Sequence, residues 1–355
     1  MTKLPIFDGH NDTLTQLLNI EKSRGRSFFQ ESGFGHIDLP RARRAGMFGG
    51  FFAIWTPPPE DSPERDEMFG FHKTADGYEV VMQSRQEQGR SEKFTDDVIA
   101  FANRLERNSA GQVKLVREYD ELVDCLAGDR FAVIIHLEGA EAIREDLANL
   151  EKYYERGVRS LGVAWSRPNA FGEGVPYRFP HSPDTGPGLT GAGKRLVARC
   201  NELGILVDLA HLNEKGFYDA AEVSSKPLVV SHTAVHSLSA STRNLTDAQI
   251  DTVGESGGVI GIWYEPVNVR GDGSMARDLS IAQIVRHFVY IAERIGVEHV
   301  AFGSDFDGAT MPEVMKDVSC YPDLVAGLKE AGFEREELEK IAYKNWLRVI
   351  EATWR

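Results

Sequence analysis

Short, nearly continuous apolar runs alternate along the chain with longer stretches whose apolar residues recur at helical spacing. The runs are rich in Val, Ile and Phe and cover residues 5–12, 48–55, 131–138, 158–165, 205–211, 228–232, 259–264 and 299–305. Continuous rather than alternating hydrophobicity is what a parallel strand buried on both faces requires. Helical periodicity fills 144–156, 193–203, 214–223, 247–255 and 281–295, with a final helix expected over 335–353. Gly157-Val158, Gly204-Ile205, Lys226-Pro227 and Gly296-Val297 mark returns from helix to strand. Eight strands alternating with helices predict an α/β fold, a (β/α)8 TIM-type barrel. Residues 57–130 are too long for an ordinary connection. They predict a helical insertion after strand 2, with helices over 64–88, 92–107 and 118–126, inside a single domain spanning 1–355. The Pro/Gly-rich stretch 167–191 reads as a long loop above the fourth strand.

Composition changes this picture only by exclusion. A formal net charge of -14 with no basic patch excludes nucleic acid as the expected partner. No apolar run reaches the length needed to span a membrane. The three cysteines, Cys125, Cys200 and Cys320, form neither a disulfide framework nor a zinc-knuckle spacing, so they are expected to be small buried residues. With no basic and apolar leader ahead of the first strand, a cytoplasmic location is the expectation.

The chemistry is expected where the strands end. His10 and Asp12 close the first run, Glu138 the third, His211 the fifth, His232 the sixth and Asp305 the eighth. In barrels of this class, functional groups gather at the carboxyl ends of the strands. Imidazole and carboxylate donors from five strands suit a divalent metal such as zinc. Their number fits two ions sharing a carboxylate and a hydroxide. His136, two residues before Glu138, reads as a core histidine. Asp8 reads as a support for a ligand histidine.

These segments carry a resemblance. Phe7-Asp8-Gly9-His10-Asn11-Asp12, His136-Leu137-Glu138-Gly139-Ala140, Asp208-Leu209-Ala210-His211, Ser231-His232-Thr233, Ser241-Thr242-Arg243-Asn244-Leu245 and Gly303-Ser304-Asp305-Phe306-Asp307-Gly308 resemble the renal, or membrane, dipeptidase family. The likeness runs from His10 to Gly308 in the family's order. It implies a metallo-dependent hydrolase fold in which His10 and Asp12 hold one Zn2+, His211 and His232 hold the second, and Glu138 bridges them. It further implies that Asp305 is the general acid/base and that Arg243 clamps the terminal carboxylate of a dipeptide substrate. The family's tolerance of a D residue implies L-Xaa-D-Xaa substrates. Trp165 stands where much of the family has a histidine facing the substrate carbonyl, so it enters as a substrate-contact candidate, as does Tyr264 at the end of the seventh strand. The lack of extra cysteines or an anchor tail places the resemblance with the soluble bacterial-type members. A homodimer is in keeping with barrels of this kind. Two alternatives stay open: deaminase or lactonase chemistry on the same metal frame, and a metal-holding homologue without turnover.

Overall fold

The computed structural model describes residues 3–66 and 70–355. Eight parallel strands are hydrogen-bonded side by side in chain order: Ile6–Asn11, Met47–Ile54, Phe131–Leu137, Val158–Gly162, Leu206–Asp208, Val229–Thr233, Val259–Ile262 and Val300–Phe302. The eighth returns to the first through the Asn11–Phe306 bridge, with Asp305 N donating to His10 O at 3.0 Å and Asp12 N donating to Phe306 O at 2.8 Å. The fold is a (β/α)8 barrel. Strand residues are buried on both faces throughout the third to eighth strands, as their unbroken apolar runs demand.

Outer helices form where the periodicity places them, including Gly191–Leu203, Glu214–Val223, Asp247–Glu255 and Ile281–Ile295. Asn213, Thr246 and Ser280 stop the preceding loops by accepting hydrogen bonds from Gly216, Gln249 and Gln283 backbone amides. The bottom of the barrel is plugged from the carboxyl terminus. A π-helical turn at Lys340–Lys344 interrupts the expected single helix and leads into Asn345–Trp354. Trp346 is thereby brought under the strands, its indole donating to Phe302 O at 2.9 Å. A Cβ at Gly9 would run into that ring and into backbone oxygens of the sixth and eighth strands, which is why the first strand carries glycine there.

Three more expected elements differ. The helix over 64–88 is absent among the described residues: Pro63–Arg65 is a single 3-10 turn, and Phe71–Lys73 pairs antiparallel with Tyr78–Val80. Residues 67–69 of that expected helix lie outside the described residues. Thr74 N donating to Gly77 O closes the hairpin, and the Asp76-Gly77 turn is incompatible with a continuing helix. The expected loop 167–191 contributes Arg178–Phe179, which pairs with Tyr78–Val80 to make a three-stranded roof over the mouth. The helix expected over 144–156 forms only at Leu150–Glu155. Asn149 ties up the preceding turn, its side chain accepting from Arg144 N and donating to Ala142 O, both at 2.9 Å.

The insertion between the second and third strands also contains helix Gln88–Asn108, helix Tyr119–Ala127 and strand Val113–Leu115, which extends the sheet beside the third strand. Cys125, Cys200 and Cys320 are buried free thiols. No helix of the described residues is long and apolar enough to cross a membrane.

Candidate metal centre

Within the barrel mouth, His10, Asp12, Glu138, His211, His232 and Asp305 are all buried and converge. Glu138 Oε1 sits at the hub, 3.0 Å from His211 Nε2, 3.5 Å from His10 Nε2 and 3.7 Å from His232 Nε2. On one side, Glu138, His211 and His232 present donor atoms within 4.8 Å of one another. On the other, His10, Asp12 and Asp305 do the same. His10 Nε2 lies 3.4 Å from Asp12 Oδ2 and 3.9 Å from Asp305 Oδ1, and it has no hydrogen-bond partner among the described residues.

Local backbone shape aims these groups. His211, Asp305 and Asp307 adopt left-handed backbone angles (φ 69°, 59° and 66°), a cost that clusters at functional sites. Gly308 is required by close approach, since a Cβ there would collide with Asp12 Oδ2 and Asp305 Oδ1. Asp307 anchors the same turn from behind, accepting from Thr13 Oγ1 at 2.8 Å and His36 N at 2.6 Å.

Serines support the histidines. Ser231 Oγ donates to Asp208 Oδ2 at 2.5 Å, so it accepts from His232 Nδ1 at 2.9 Å, leaving the Nε2 lone pair facing the mouth. Ser166 Oγ lies 2.9 Å from His211 Nδ1. Asp208, which sequence reasoning did not single out, also accepts from Ser231 N at 2.8 Å and joins His10 and His232 in a third donor group. Its signal was its place at the end of the fifth strand. Asp8 does not hold a histidine. It accepts from Ser304 N and Oγ, both at 2.8 Å, because the eighth strand's turn reaches it first. His136 is a core residue, its Nδ1 2.9 Å from Ser160 Oγ.

Burial and mutual proximity shift the ionisation of these groups. Burial alone pulls the His10 imidazole down, but Glu138, Asp12 and Asp305 outweigh it and push it up to about 10. Burial raises the Glu138 carboxyl to about 8 and lifts Asp305 well above the carboxylate range. His211 and His232 are held well below their ordinary value, chiefly by burial. Neutral imidazoles facing crowded carboxylates form a donor set that fits divalent cations, which would take the place of the protons.

The other expected contacts divide. Arg243 is buried beside the cluster, with Cζ 4.6 Å from the Trp263 ring centroid and Nη2 donating to His232 O at 3.4 Å. Its Nε has no partner among the described residues. Trp165 lines the mouth, its ring 5.7 Å from that of His211. Tyr264 does not line it. Its ring is fully buried between Phe306 and Tyr321, at 5.9 and 6.4 Å, because the seventh strand ends at Ile262 and the turn beyond redirects the chain. The next residue, Glu265, lines the cavity instead, together with Trp55 and Tyr177.

Known proteins resemble this chain over most of its length. The family model described as membrane dipeptidase (peptidase family M19) matches residues 1–354. A metallo peptidase from Rhodobacter sphaeroides, solved with a phosphinate mimic of the dipeptide L-Ala-D-Ala, is 40% identical with a TM-score of 0.94, covering 99% of this chain and 100% of that one. The "Uncharacterized protein in PQQ-III 3'region" of Acinetobacter calcoaceticus is 36% identical over 293 residues, 82% of this chain and 90% of that one. Dipeptidase tcpJ of Claviceps purpurea (strain 20.1) is 26% identical over 349 residues, 97% of this chain and 76% of that protein. With the whole chain matched, the protein belongs to the membrane dipeptidase family, peptidase family M19, and is a metallo-dipeptidase.

Proposed function

We propose that the barrel mouth holds two zinc ions and that the enzyme hydrolyses the single peptide bond of dipeptides, L-Xaa-D-Xaa compounds among them. His10 and Asp12 would hold one ion and His211 and His232 the other, with Glu138 shared. The observation that carries this reading is the place of Glu138 Oε1 among three imidazole nitrogens at 3.0, 3.5 and 3.7 Å. When bound, two such ions supply a water acidified toward neutral pKa and an electrophile for the carbonyl oxygen.

The remaining work falls to side chains. Asp305, 3.9 Å from His10, would take the proton of the attacking water and return it to the departing amine. Arg243, braced on Trp263 and with an unpartnered Nε, would pair with the free carboxylate and restrict substrates to very short peptides. Trp165, which lines the cavity, would supply one indole N–H, a donor with no acceptor capacity, to the scissile carbonyl. The Rhodobacter relative, bound to a mimic of L-Ala-D-Ala, supports a D residue at the carboxyl-terminal position. A kcat/KM panel of L,L and L,D dipeptides with zinc-loaded protein tests the reading. Turnover of both classes is expected, and inactivity across the panel refutes it.

A further inference from the structure

Beyond the donor cluster the mouth widens, from an inner cavity of about 160 Å³ to an outer one of about 740 Å³. Four aromatic residues stand in its walls, among polar and charged neighbours such as Gln16, Glu64 and Arg65. Trp55 and Trp165 stand with ring centroids 5.0 Å apart, Tyr177 adjoins Trp165 at 6.3 Å, and Tyr78 descends from the roof hairpin. Glu265 lines both cavities. Asp307, also shared, is already committed to Thr13 and Arg26. Glu265 makes no ion pair among the described residues, and among them its carboxylate accepts one hydrogen bond, at Oε2 from Asn268 Nδ2 at 2.5 Å.

Burial pushes the Glu265 carboxyl up to about 7, with Asn268 and Arg243 only partly offsetting it. Its charge also reaches Tyr78 and Tyr177, where it adds to burial in raising both phenols. Glu265 is half-buried and makes no ion pair among the described residues, so a cationic ligand would stabilise its carboxylate in a way a neutral one does not. Aromatic faces around a carboxylate form a recognised binding arrangement for organic cations.

We propose that Trp55, Trp165, Tyr78 and Tyr177 form, with Glu265, a specificity subsite for a cationic side chain, so that dipeptides bearing an ammonium or guanidinium group are preferred. This rests on the dipeptidase reading above. The chemistry is the same whether the cation comes from the amino- or the carboxyl-terminal residue, and the test separates the two.

The experiment compares kcat/KM of zinc-loaded enzyme on L-Lys-D-Ala against L-norleucyl-D-Ala, and on L-Ala-D-Lys against L-Ala-D-norleucine. In at least one pair the lysine compound is favoured by about tenfold, mainly through KM, and that pair identifies the residue in the subsite. Glu265→Gln brings the ratio close to one. Should that variant fail to fold, Tyr177→Leu, which keeps the carboxylate, lowers the ratio by removing one aromatic wall. Ratios of one or less in both pairs, or a ratio that survives both substitutions, overturn the proposal alone. Failure on all four compounds overturns the dipeptidase reading, and this subsite with it.

Discussion

His211 Nε2 and His232 Nε2 face each other at 2.9 Å across the barrel mouth, each ring met on its far side by a serine hydroxyl. Ser231 fixes the His232 tautomer so that its Nε2 lone pair faces His211 Nε2 and Glu138, a set of donors that suits a shared cation. Glu138→Gln keeps the shape of the side chain but removes its charge. The variant is expected to bind less zinc than the parent and to lose more than about 100-fold in kcat/KM, since even residues that only support ligands cost up to that much. Elemental analysis beside kinetics checks this, and full zinc content with full activity would contradict it.

Asp305 is held in a left-handed turn by Gly308 N and Ala309 N, which donate to its backbone oxygen at 3.2 and 3.0 Å. Asp305→Asn leaves that turn and the five other donors in place. Turnover should fall by about 10² to 10⁴, the usual worth of a positioned acid/base, while zinc content stays at the parent level. Unchanged turnover would remove Asp305 from its assigned role.

Arg243 distinguishes a dipeptidase from other hydrolytic chemistry on the same frame. If its guanidinium grips a free carboxylate, amidating the carboxyl terminus of a good dipeptide should lower kcat/KM by at least about tenfold, the worth of a charge-assisted pair. Arg243→Lys, which loses the fork, should narrow that gap. Equal turnover of free and amidated forms by the parent enzyme would favour a deaminase or lactonase type of site.

His287 supplies a pH dependence independent of the metal site. It bridges two segments, Nδ1 accepting from Val235 N and Nε2 donating to Val269 O, both at 3.1 Å. Burial lowers its imidazole from the ordinary 6.5 to about 4. Between those values the unfolded chain binds the extra proton, so stability present above about pH 6.5 drains away as pH falls toward 4. The shift is worth about 3 kcal/mol. Urea unfolding of His287→Gln should give a flatter stability curve over that range than the parent. Parallel curves would contradict the assignment.

Much of the fold was legible because its grammar is local. A strand buried on both faces is largely apolar except where a side chain enters the site, and all eight barrel strands are legible as such short apolar runs. Helices 214–223, 247–255 and 281–295 have strong periodicity and side-chain caps, and their ends match the sequence reading. The roof was not legible. Arg178–Phe179 pairs with Tyr78–Val80 roughly a hundred positions away, and two residues of strand carry no local signal. Phe71, Tyr78 and Val80 sit on short strands around an Asp-Gly turn, a spacing that also suits helix. Glu265 rather than Tyr264 lines the cavity beyond the seventh strand, because alternation stops being informative once the strand ends at Ile262. His10, Asp12, Glu138, His211, His232 and Asp305 could be gathered from sequence because each stands at or just past the end of a barrel strand. Asp208, at such an end too, was passed over beside the more conspicuous His211.

The central claim is a pair of cations held by one shared carboxylate, and zinc stoichiometry tests it most directly. Protein purified without chelator and equilibrated with excess zinc, then freed of unbound metal, should retain about two zinc ions per chain. A value of one or none, in protein that is folded and monodisperse, would contradict it.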